Sequence, residues 1–202
     1  MTHSSLMPRP DFQRPATLLP LAVAAGLLFG LALPSRATTP SADISEDTAG
    51  LPQPKSVQVD RSIPAAQRDA ISLAARRYYA FWNTGEPRYA EAALAPDFMD
   101  RNLPAGRPQG RPGPLFASKI FRAAVPDLRL EVEEMLIVGD RAIGRLHFSG
   151  HFTGQFQGKA GQGQVVDFIA TDIYRVAAGR IAENWHLEDN LTLLQQLGVV
   201  KP

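Results

Sequence analysis

Apolar positions recur at helical spacing through one early stretch of the chain and alternate through the later part. Ile71, Ala74, Ala75, Tyr78, Phe81 and Trp82 fall on one helical stripe, with Ser62 as the expected cap, Pro64 in the first turn and Asn83-Thr84-Gly85 as the stop. A second short helix is predicted after Pro87, carrying Ala90, Ala93 and Leu94, and a third over residues 115–124, ended by Val125-Pro126-Asp127. Between these two, the Gly- and Pro-rich residues 104–114 read as a connection or as the rim of a pocket. From Leu128 onward the period is two, as in strands. Residues 128–138 approach a turn at Gly139-Asp140, residues 141–153 follow, and residues 164–177 and 180–188 form a pair joined at Ala178-Gly179. Helices followed by antiparallel strands predict an α+β domain in which a curved sheet wraps three N-terminal helices.

A sheet curled over helices leaves a cavity at its open end, lined by alternate residues of each strand. On residues 141–153 the apolar face holds Ala142, Gly144, Leu146, Phe148, Gly150 and Phe152, so Phe148 and Phe152 are expected to point inward and His147 and His151 outward. On residues 164–177 two faces compete. If Val166, Phe168, Ala170, Asp172, Tyr174 and Val176 face inward, Asp172 and Tyr174 are polar pocket residues; otherwise Asp172 pairs with Arg175 or Arg180 at a rim. Trp82 is a candidate floor of the pocket, though core packing explains its stripe as well.

The last strand runs into a helix. Ile181, Glu183, Trp185, Leu187 and Asp189 share one face, and Ala182, Asn184, His186 and Glu188 the other, before Leu191, Leu194 and Leu197 take helical spacing and Gly198 stops it. Asp189 at this junction is a candidate acid/base beside Trp185, and equally a good cap for the helix; Glu183 suits a pair with an arginine. Glu183, Trp185, Asp189, Leu193 and Gln196-Leu197-Gly198 resemble the closing motif of the SnoaL-like polyketide (ester) cyclases, in the nuclear transport factor 2-like superfamily. The resemblance spans roughly Ile71 to Val200. It implies a cone-shaped α+β fold and a cofactor-independent cyclase or isomerase acting on a small hydrophobic carbonyl compound, with Asp189 moving the proton and aromatic walls holding the substrate. The candidates around it are Trp185 beside Asp189, with Phe148, Phe152, Trp82, Tyr174 and Asp172 from the alternation and the helical stripe. The family's Gly-x-His-x-Gly pattern has Phe152 in the histidine position of Gly150–Gly154, and its Asp-His pair reads Asp100-Arg101 here. These departures keep a second reading open, a non-catalytic module that binds a lipophilic ligand in the same pocket. Either reading leaves the open sheet face available for a homodimer.

Composition narrows the chemistry further. The 202 residues include no cysteine, which excludes disulfides, thiolate metal sites, a cysteine nucleophile and a lipid-modified cysteine anchor. His147 and His151 stand roughly 13 Å apart on a strand, too far to share a metal. No serine-hydrolase, zinc-protease, phosphate-loop or dinucleotide fingerprint occurs, so neither metal nor cofactor is called for. Arg9 and Arg14 precede an apolar run from Leu18 to Leu33, broken by Pro20 and Gly26, and Ser35-Arg36-Ala37 offers small residues before a cut at Thr38. Residues 1–37 are thus expected to be a signal peptide removed on export to the periplasm or medium, with a retained membrane anchor as the rival reading, and are the only membrane-seeking segment. Residues 38–61, rich in Thr, Ser, Pro and Asp, are expected to form a disordered linker before the domain at 62–202. Removing residues 1–37 takes away Arg9, Arg14, Arg36 and Asp11, so 21 basic and 20 acidic residues become 18 and 19. The mature chain has no basic stripe for nucleic acid.

Overall fold

The computed structural model describes residues 48–201; the expected signal segment and the first part of the expected linker lie outside them. Four helices, α1 (Ala65–Thr84), α2 (Pro87–Ala93), α3 (Pro112–Ala124) and α4 (Asn190–Gln196), pack with a six-stranded sheet. The strands are β1 (Val57–Val59), β2 (Leu94–Asp100), β3 (Arg129–Val138), β4 (Arg141–Phe152), β7 (Gln164–Ala177) and β8 (Arg180–Glu188), in the order β1-β3-β4-β7-β8-β2. β5 (Gln155–Phe156) and β6 (Lys159–Ala160) form a small separate hairpin in the connection from β4 to β7, which carries Gly154, Gly158, Gly161 and Gly163. The four long strands pair antiparallel, with tight turns joining β3 to β4 and β7 to β8, and the curved sheet closes over α1 in the α+β architecture expected.

Both edge strands run parallel to their neighbours and neither was anticipated. β1 lies in the expected linker. Its order comes from backbone pairing with Met135–Ile137, from Arg76 donating to the carbonyls of Thr48, Leu51 and Pro52, and from burial of Leu51, none of which composition reports. β2 is short and contains Pro96, which an edge strand tolerates because one side needs no ladder hydrogen bond. It carries Asp100 into the interior. Ser62 does not cap α1: the N-cap is Pro64, and both the N–H and hydroxyl of Ser62 turn to Asp60. Gly85 takes the left-handed conformation (φ 74°) that ends the helix as expected.

The two competing faces of β7 are separated by register. Phe148 pairs with Phe168, Leu146 with Ala170, Gly144 with Asp172 and Ala142 with Tyr174, so the apolar face of β4 carries Phe168, Ala170, Asp172 and Tyr174 inward beside it. At Gly144 a Cβ would lie 2.2 Å from the Tyr79 hydroxyl, so this glycine makes room for α1 against the sheet. Outward on β4, His147 meets Asp167 at 2.9 Å and His151 meets Asp127 at 2.7 Å, as the alternation predicts. The same outer face exposes Val165, Ile169 and Leu187.

Phe152 is fully buried and His151 exposed. Phe152→Ala is therefore expected to cost about 3–5 kcal/mol, and His151→Ala at most about 1 kcal/mol from its surface pair with Asp127. Denaturant melts of the two variants check this, and equal losses would contradict the register.

Candidate functional site

A cavity of ≈ 720 Å³ opens between α1, α3 and the inner face of the sheet. Its walls are apolar: Trp82 and Tyr78 from α1, Phe116, Ile120 and Phe121 from α3, and Phe148 and Phe168 from β4 and β7. The Phe148 and Phe168 rings stack at 5.0 Å, and Trp82 stands edge-on to Phe148 at 6.3 Å. Phe116 and Ile120 are 47% and 42% exposed because they face this open space. Residues 104–107 form part of the lining, so the Gly- and Pro-rich stretch is a rim. Gln109 fastens it: its amide accepts from the Asp100 N–H (2.8 Å) and donates to the Asp100 carbonyl (2.9 Å).

Polar groups converge on one wall. In β8, Asn184, His186 and Glu188 alternate on the inward face; β2 brings Asp100 beside Asn184, and β7 brings Asp172 opposite His186. The His186 ring lies between two carboxylates, with Nδ1 2.7 Å from Glu188 Oε1 and Nε2 3.1 and 3.2 Å from the two Asp100 oxygens. Only an imidazolium can donate from both nitrogens. Burial alone would lower the affinity of the ring for its proton, but the two carboxylates outweigh it and push the pKa up to about 10. Burial acts on Asp100 and Glu188 in the opposite sense, and His186 overrides it, holding both carboxyls below their ordinary range.

Among the described residues Asp172 has no such cation at hydrogen-bond distance. Its Oδ2 accepts from the Tyr174 hydroxyl at 2.6 Å, and burial, only partly offset by that bond, pushes its pKa up to about 7. Tyr174 is two residues on along the same strand face and fully buried, which is why alternation places the phenol against the carboxyl. Tyr78 and Tyr79 pack on Tyr174 with ring centroids 5.6 and 5.8 Å away. The cavity wall thus holds an imidazolium between two carboxylates and, on the neighbouring strand, a carboxyl whose pKa burial raises to about 7.

Of the residues expected at a site, Trp82, Phe148 and Asp172 line the cavity. Tyr174 supports Asp172 from beneath, and Phe152 belongs to the core. Asp172 forms no rim pair: Arg175 binds Glu183 instead, as does Arg101, each at 2.5 Å, so the expected arginine partner of Glu183 is present twice. Trp185 and Asp189, expected at the site, lie away from the cavity. Trp185 stands on the outer face with the Arg141 guanidinium 4.8 Å over its ring. Asp189 is exposed, does not line the cavity, and caps α4 by accepting from the Thr192 N–H (3.1 Å) and hydroxyl (2.8 Å), bonds that lower its pKa. β8 points Asn184, His186 and Glu188 inward, so the large apolar Trp185 and Leu187 face outward and did not mark the buried side. The signal that names the site is the Asn-x-His-x-Glu alternation itself. Asp189→Asn is expected to leave stability almost unchanged and Asp189→Ala to cost about 1 kcal/mol, as for any N-cap, with neither affecting ligand binding; thermal melts and ligand titration check both.

Among the described residues, Glu131, Glu133 and His147 lie close enough together on the outer face to bind a cation. The Lys55 ammonium already bridges the two glutamates at 2.8 Å each, and His147 turns its Nε2 to Asp167.

The family model of the SnoaL-like polyketide cyclases matches residues 72–197. Among solved structures, a candidate polyketide cyclase from Bacillus cereus ATCC 10987 is 41% identical with a TM-score of 0.69, covering 75% of this chain and 95% of its own. TsrD from Streptomyces laurentii is 28% identical (TM-score 0.59; 66% of this chain, 98% of that one). IdmH from Streptomyces antibioticus, likewise a candidate polyketide cyclase, is also 28% identical (TM-score 0.55; 66% and 99%). No curated protein matches the chain. With the family match spanning more than half its residues and the cone-shaped fold on the page, this chain belongs to the SnoaL-like polyketide cyclase family of the nuclear transport factor 2-like superfamily.

Proposed function

We propose that the protein is an exported, cofactor-independent enzyme that moves a proton next to the carbonyl of a small hydrophobic compound and so cyclises or isomerises it. The observation that carries this reading is Asp172, a cavity-lining carboxyl whose pKa of about 7 lets it act as base and then as acid near neutral pH. Ionised Asp172 takes the proton from the carbon beside the carbonyl, leaving an enolate. The protonated Asp172 returns a proton after the new bond or the shifted double bond has formed. Tyr174 holds the carboxyl in place, and the imidazolium of His186, its cross-strand partner, supplies positive potential as negative charge builds on the substrate. Trp82, Phe148 and Phe168 hold the apolar body and exclude water.

The test is solvent exchange. A panel of β-keto esters and cyclic 1,3-diketones incubated in D₂O with the protein should take up deuterium at the acidic carbon, followed by proton NMR, with a rate that rises through pH 7 as Asp172 ionises. No exchange above the buffer rate, together with saturable binding of the same compounds, would favour the binding-module reading. That reading is supported by His186, whose two nitrogens are both committed to carboxylates.

Export rests on the basic start, the apolar run and Ser35-Arg36-Ala37. N-terminal sequencing of the protein recovered from a secreting host should begin at or near Thr38; an intact Met1 in the cytoplasmic fraction would refute it. The outer sheet face with Val165, Ile169 and Leu187 is the surface that a homodimer would use.

A further inference from the structure

Arg107 extends from the rim into the cavity without a full set of partners. Its side chain is 23% exposed, and its stem lies against Gly113 at the start of α3, where an added Cβ would come within 3.5 Å of the Arg107 Cγ. Among the described residues its ion-pair partner is Asp100 Oδ2, at 3.9 Å, beyond hydrogen-bond distance. Asp100 is already engaged by His186 and the Asn102 N–H. A guanidinium carries five N–H donors in a planar fork and stays charged at every physiological pH, so donors left open toward an apolar cavity call for an anionic oxygen pair. Arg107 pairs loosely with Asp100 on β2, whereas Asp172 stands on β7, with β8 between the two strands in the sheet. The cation and the proton-transfer carboxyl therefore address different parts of one ligand.

We propose that Arg107 is a substrate-binding residue that receives a carboxylate, so that the cavity selects an apolar carbonyl compound bearing a carboxylate at the end away from the reacting carbon. The inference rests on the reading of this cavity as the substrate site. With Asp172 protonated, Asp100 and Glu188 are balanced by His186 and Arg107, and ionisation of Asp172 adds one negative charge, so a carboxylate is expected to bind more tightly below pH 7 than above it.

The probes are 2-naphthoate and methyl 2-naphthoate, which share a flat apolar body and differ by the charge. The chain has two tryptophans, so in a Trp185→Phe background Trp82 alone reports cavity binding by fluorescence. At pH 6 the anion should bind about 10-fold or more tightly than the ester. Arg107→Gln should weaken the anion alone, bringing the two within about threefold, and Arg107→Lys should restore part of the preference. Equal binding of the two probes to the parent protein, no binding of naphthoate up to millimolar concentration, or equal weakening of both by Arg107→Gln would overturn the assignment. Asp172→Asn separates this from the proton-transfer reading. It should keep the anion preference while exchange is lost, and unchanged exchange in that variant would refute the role of Asp172 without touching that of Arg107.

Discussion

Asp172→Asn is expected to lower proton exchange on a carbonyl substrate by about 10²- to 10⁴-fold while leaving the protein as stable as the parent or more so. Asparagine keeps the shape and still accepts the Tyr174 hydroxyl bond, but it cannot take up a proton. The stability side follows from the direction of the pKa shift. Asp172 moves from an ordinary value of 3.8 up to about 7 on folding, so the folded state disfavours its charge. Its contribution is fully present below pH 4 and is lost as pH rises through 7. The asparagine variant has no such loss, and the difference should appear as greater stability at pH 8 and near equality at pH 4. Exchange rates and denaturant melts at the two pH values provide the two readouts. Exchange within about threefold of the parent would remove Asp172 from the chemistry, and lost exchange with lost stability would point to a damaged fold.

His186→Gln is expected to destabilise the protein by about 3–5 kcal/mol at pH 7, because it leaves Asp100 and Glu188 facing each other in a buried wall without the cation between them. The pH dependence has a sign of its own. His186 rises from 6.5 to about 10 on folding, so its stabilisation is complete below pH 6.5 and disappears as pH rises through 10. Asp100 and Glu188 are shifted down, and their contribution is lost on acidification. In the variant both effects should shrink: the decline between pH 7 and 10 flattens, and the penalty diminishes below pH 5, where the two carboxyls can take up protons. Chemical denaturation across pH 4–10 measures this. A cost below about 1 kcal/mol at pH 7 would mean that the ring does not hold the two acids together.

The site was only half legible in the sequence. Periodicity alone identified α1, α3, α4 and the four long strands, since a one-residue error would have turned Leu146, Phe148 and Phe152 to water. It also placed His147 and His151 outside. In β7 both faces are apolar enough to be buried, and only pairing with β4 selected the one carrying Asp172. In β8 the more apolar face is the outer one, because Trp185 and Leu187 share it with Ile169 and Ile173 of β7, while the interior wall is built from charges that neutralise each other.

What the sequence by itself determined is therefore local: which segments are helical or extended, the turn that ends α1, the cap that Asp189 supplies to α4, and the family whose closing motif the chain carries. What only the tertiary structure decided is non-local: the two parallel edge strands, the inward face of β7, and the meeting of Asp100, Asp172, His186 and Glu188 from three strands. The physical reason is the range of the forces involved. Caps, turns and side-chain alternation act over a few residues and are written in spacing. A buried imidazolium becomes stable only when carboxylates 86 and 2 residues away are brought within hydrogen-bond distance, and no local pattern records that encounter.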